Sequence, residues 1–136
     1  MKTFIARFKT PVVLALALFA SLAYFGASYA DDSAISSGEF TGMNDHIVSG
    51  KVSIVKTDAG YEIVMADNFL FDGAPDPKVA LGKDGAYDPA TQIEALKSDS
   101  GAQRYIVPAS VDVTQFNEVH IWCEKFSVGL AIAPLN

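Results

Sequence analysis

The stretch VHIWCEKFSV, residues 119–128, sets the chain's single cysteine, Cys123, beside its single tryptophan, Trp122. His120, Glu124 and Lys125 lie within three positions of the thiol. A thiol can attack a disulfide, pass through a sulfenic acid, or ligate iron. With no second cysteine in the chain, any such cycle needs a partner. On a strand, Val119, Ile121 and Cys123 share one face and His120, Trp122 and Glu124 the other. The Cys123 face is therefore expected to point to the core, with Lys125 on the same side. Reactive thiols occupy partly exposed, electropositive places, whereas thiols in apolar surroundings are inert. The competing reading is that Cys123 is a packing residue, since free cysteine is among the most buried residue types.

His46 and His120 are the only histidines. Together they could ligate one metal or haem, with Met43 or Met65 as soft partners. The alternative is a hydrogen-bonded structural role for each. No H-x-H, C-x-x-C or C-x-x-C-H spacing occurs, so neither a zinc cluster nor a c-type haem attachment is indicated. Asp67, Asp72 and Asp76 in DNFLFDGAPDP could line a calcium loop. The twelve-residue pattern with its closing glutamate is missing, and turns explain Asp72 before Gly73 and Asp76 before Pro77 without an ion. No G-x-S-x-G, H-E-x-x-H or phosphate-cradling glycine loop is present, so the residues point away from an enzyme.

The elements that must position these groups follow a long N-terminal apolar segment. Lys2, Arg7 and Lys9 precede an uncharged run, and Ser28 and Ala30 occupy the −3 and −1 positions of a cleavage site before Asp31. Residues 1–30 read as a signal peptide. They read alternatively as an N-terminal anchor, the uncharged run being long enough for roughly 30 Å of hydrocarbon. Either way, residues 31–136 are expected outside the cytoplasm, periplasmic or secreted. That part carries seven Lys/Arg against sixteen Asp/Glu, hence a formal charge of −9. Such a surface repels phosphate backbones and excludes nucleic acid as the partner.

Beyond the signal, short apolar runs alternate with turn residues and no long run has helical period. KVSIVK (51–56), a turn through Gly60 and YEIVMADNFLF (61–71) predict a hairpin. Residues 72–77 break the pairing, 78–82 form a short strand, and 83–91 form a loop. Residues 93–98 fit either one helical turn or a strand. Residues 102–108, 119–126 and 127–135 complete the set. The expectation is one all-β domain, an antiparallel β-sandwich or small barrel.

Taken in order, these stretches resemble the DM-thirteen domain, a small extracellular β domain. The resemblance rests on Gly38 and Phe40, on His46, Val48 and Gly50, and on the loop of Phe69, Phe71, Asp72, Gly73, Pro75 and Asp76. Trp122, Cys123, Phe126 and Ser127 complete it, and it spans about residues 38–135. What it implies is an electron-transfer role. Such domains often accompany DOMON and cytochrome domains, and their cysteine is associated with redox chemistry or a haem-like group.

Two functions are therefore expected to compete. One is an exported redox domain centred on Cys123, with Trp122, His120 and His46 as cofactor-side residues and a redox or membrane-associated protein as partner. The other is a binding module without a redox step, presenting the loop from Phe69 to Asp76 to a protein, glycan or small ligand.

Overall fold

Short apolar and β-branched runs separated by turn residues build the strands, some exposed on one face and others buried on both. The structure, a computed structural model, describes residues 33–136, and the signal or anchor expected over residues 1–30 lies outside the described residues. The strands are β1 (Ala34–Glu39), β2 (Thr41–Gly42), β3 (Val48–Ser49), β4 (Lys51–Thr57), β5 (Gly60–Met65) and β6 (Leu70–Phe71). They continue as β7 (Pro77–Lys83), β8 (Ala86–Tyr87), β9 (Glu94–Ala95), β10 (Gln103–Ile106), β11 (Glu118–Cys123) and β12 (Val128–Pro134). Two short 3-10 turns, Pro89–Thr91 and Val113–Gln115, are capped by the side chains of Asp88 and Asp112.

One sheet has the order β1-β4-β5-β10 and the other β2-β12-β11-β7-β8, with β9 also on β7; β3 and β6 form a separate pair. All pairings are antiparallel. The fold is an open sandwich rather than a closed barrel. Val52 and Ile54 of β4 stand opposite Met65 and Ile63 of β5. They belong to one buried cluster with Val79 and Leu81 of β7, Val119, Ile121 and Cys123 of β11, and Leu130 of β12. Phe40 and Phe69 close the cluster edge to face, their centroids 5.5 Å apart.

Local structure departs from expectation where side chains compete with the ladder. The strand expected over 61–71 stops at Met65. There the amide of Phe69 turns back to the carbonyl of Ala66, and Asn68 Oδ1 accepts the amide of Lys51. Leu70 and Phe71 then pair with β3 instead. The loop over 83–91 contains a hairpin: Asp84 and Gly85 both have positive φ, as a two-residue mirror-image turn requires, and β8 folds back on β7. Residues 93–98 hold the two-residue strand β9 and no helical turn. Beyond Cys123 the chain leaves β11 for a turn, so Lys125 does not share the cysteine's face. Its ammonium lies over the exposed ring of Phe126.

Candidate functional site

Cys123 is the last residue of β11, paired with Pro77 on one side and Val128 on the other. It is 1% exposed and belongs to the apolar core, so the alternation of Val119, Ile121 and Cys123 inward holds. The four residues that follow, 124–127, form an exposed turn. The thiol is thus sealed in the closed fold but sits on the last rung before a hairpin end.

The opposite face of β11 carries Glu118, His120 and Trp122. Trp122 lies flat on Tyr87 of β8, with centroids 4.2 Å apart and planes 7° apart. Behind this stack His120 is buried, and Glu118 accepts from its Nε2 at 2.9 Å and from the amide of Gly85 at 2.7 Å. Gly82 makes room for the imidazole: a Cβ there would lie 2.4 Å from His120 Nε2. Both His120 and its carboxylate partner are therefore built into the domain. Reading the strand alternation one step further back would have placed Glu118 beside His120. Nothing local identifies Tyr87 and Gly82 as their cover.

His46 occupies a different setting. Its Nδ1 donates to Asp72 Oδ1 at 2.8 Å, while Asp72 Oδ2 accepts the amide of Ile47 at 2.9 Å. These two bonds, first the Ile47 amide and then the His46 ring, hold the Asp72 carboxyl below its ordinary range. An ionised carboxylate only accepts, so the proton of a neutral imidazole sits on Nδ1 and Nε2 keeps its lone pair. Nε2 has no partner among the described residues and is not buried. The arrangement is the one in which an outer carboxylate orients a ligating histidine.

The remaining loop residues separate. Phe69 and Phe71 pack into the core at 0% and 7% exposure, whereas Ile47 and Leu70 stand exposed at 77% and 59%. Gly73 adopts a positive φ and Pro75 is exposed. Asp76 pairs with Lys78 at 3.1 Å and raises the lysine's pKa. With Asp72 and Asp76 so engaged and Asp67 in the turn after β5, the three acids do not converge. No group of three or more His, Cys, Asp or Glu able to hold a metal occurs among the described residues.

Of the candidate donors to a haem-type group, Met65 is fully buried, and Cys123 and the two histidines differ in access. Cys123 is enclosed by the core, and His120 is buried with its Nε2 taken by Glu118. His46 alone combines an oriented ring with an accessible nitrogen.

The family model described as electron transfer DM13 matches residues 39–135 of the chain. No curated protein and no solved structure matches it.

Proposed function

Because the chain belongs to the electron transfer DM13 family, we propose that it is an exported, non-catalytic electron-transfer domain whose working group is the Cys123 thiol. What supports the assignment to Cys123 is its position on the last rung of the β11–β12 hairpin, directly before four exposed residues. Opening of that end delivers the thiol to a partner without unfolding the core. In the exchange, the Cys123 thiolate attacks one sulfur of a partner protein's disulfide. A mixed disulfide forms and the partner's other sulfur leaves as a thiolate, which takes up a proton. The segment over residues 1–30 would direct the domain out of the cytoplasm, where disulfide partners persist.

Thiol labelling against denaturant tests this reading. The expected result is slow labelling of the native protein at a rate that is insensitive to low denaturant, as for a local opening. A rate that follows global unfolding throughout would sink it.

A second reading, a binding module, is favoured by the exposed side chains of Ile47 and Leu70 beside the His46–Asp72 pair. It requires no chemistry at Cys123. Partner capture that survives alkylation of the unfolded and refolded chain would support this alternative.

A further inference from the structure

We propose that Met43 is an oxidation site for hydroperoxides, and that its sulfoxide releases the rung that seals Cys123. The proposal rests on the reading of Cys123 as a thiol exposed by a local opening. Met43 begins a tight turn that is fixed to β12 by two bonds. The Met43 amide donates to the Leu130 carbonyl at 2.9 Å, and Asn44 Nδ2 donates to the Gly129 carbonyl at 2.8 Å. The thioether covers Gly129, where a Cβ would lie 3.2 Å from both Sδ and Cε of Met43 and 3.9 Å from Cε3 of Trp122. In the β11–β12 ladder Gly129 stands opposite Trp122, and Val128 opposite Cys123. A register shift between Ile121 and Trp122 separates these two rungs from the rest of the ladder. Beyond them lies the exposed turn over residues 124–127. On its other side Cys123 faces Pro77, which has no amide proton to donate. The hairpin end therefore depends on what packs over it, and Met43 packs on Gly129.

Of the methionines among the described residues, Met65 is fully buried and Met43 half-buried, so peroxide reaches Met43 first. With hydrogen peroxide, the sulfur lone pair attacks one peroxide oxygen, and a sulfur–oxygen bond forms as the oxygen–oxygen bond breaks. Sulfur loses two electrons and the peroxide gains them. The departing hydroxide takes the proton from the oxygen now on sulfur and leaves as water. A polar sulfoxide replaces a flexible apolar side chain. Its oxygen needs a hydrogen-bond donor, and the Met43 amide and Asn44 Nδ2 are already committed to β12. The oxidised side chain turns out to water, and Gly129 and the two rungs beside it lose their cover. Enzymatic reduction of the sulfoxide restores the thioether, so the release is reversible.

The test is thiol labelling of the full chain before and after treatment with hydrogen peroxide, with peptide mapping to locate the added oxygen. Oxygen is expected on Met43 while Met65 stays unoxidised. Oxidation should raise native-state labelling of Cys123 about tenfold or more, the rate remaining insensitive to low denaturant. Met43→Leu keeps an apolar side chain without sulfur and should show no rise on the same treatment. Met43→Gln places a polar group there and should label fast without oxidant. A methionine sulfoxide reductase should return the treated chain to its starting rate. An unchanged rate after Met43 is oxidised, an equal rise in Met43→Leu, slow labelling of Met43→Gln, or a peroxide-resistant Met43 overturns the inference. The two readings fail separately. Denaturant dependence in the untreated chain decides the role of Cys123, and the ratio of treated to untreated rates decides that of Met43.

Discussion

Trp122 and Tyr87 lie in parallel, 4.2 Å apart, and this one stack closes the outer face of β11 over His120. The phenol is fixed in turn, its hydroxyl donating to Gln92 Oε1 at 2.9 Å. The strand that carries the core cysteine is therefore covered on both sides, by the second sheet and by the β7–β8 hairpin.

Tyr87→Ala is expected to destabilise the domain by about 1–3 kcal/mol, combining a lost stacked pair with lost burial. The same change should shift Trp122 emission to longer wavelength as water reaches the indole. Urea denaturation and the emission maximum measure both effects on one sample.

The Glu118–His120 pair should behave as a unit. Glu118→Leu alone leaves a buried imidazole and the Gly85 amide without their acceptor, at a cost of about 3–5 kcal/mol. Adding His120→Leu should recover a large part of that loss, because apolar replacement of both members of a buried pair is often tolerated. Gly82→Ala should cost about 3 kcal/mol or more, its Cβ overlapping both the imidazole and the carbonyl of Ala86. A double-mutant cycle from denaturant midpoints checks the coupling.

Acid sensitivity should reside partly in Asp72. Its carboxyl is held below the ordinary value of 3.8 by the Ile47 amide and the His46 ring. A depressed carboxylate contributes stability that is present in full above its unfolded pKa and is lost as pH falls through the folded one. The stability difference between the unmutated chain and Asp72→Asn should thus stay constant near neutrality and shrink below about pH 4. Urea midpoints across that range give the answer.

Cys123→Ser should cost about 1–3 kcal/mol, because a hydroxyl at this apolar position has no partner in place. Cys123→Ala removes the thiol without adding a polar group and should cost less. Comparing the two melting temperatures separates the packing role of the sulfur from its chemistry.

Much of the architecture could be read from local pattern. The alternation in KVSIVK and VHIWC places Val52, Ile54, Val119, Ile121 and Cys123 inward, and all five are buried. The Asp84–Gly85 pair is a strong hairpin signal that the loop reading passed over. Strand β1 was not legible. Its Ser- and Gly-containing sequence has weak strand preference, and it pairs with β4 through a bulge.

By itself the sequence determined the all-β class, the family, the inward direction of Cys123 and the lack of a second cysteine with which that thiol could close an internal disulfide. Strand period and cysteine count act locally and require no knowledge of neighbours. Only the tertiary structure decided which imidazole is open. His46 meets Asp72 across 26 residues and keeps Nε2 accessible, whereas Glu118 takes His120 Nε2 beneath a hairpin whose Gly85 amide comes from 33 residues away. Access to solvent depends on what the rest of the chain lays over a side chain, and no local pattern carries that information.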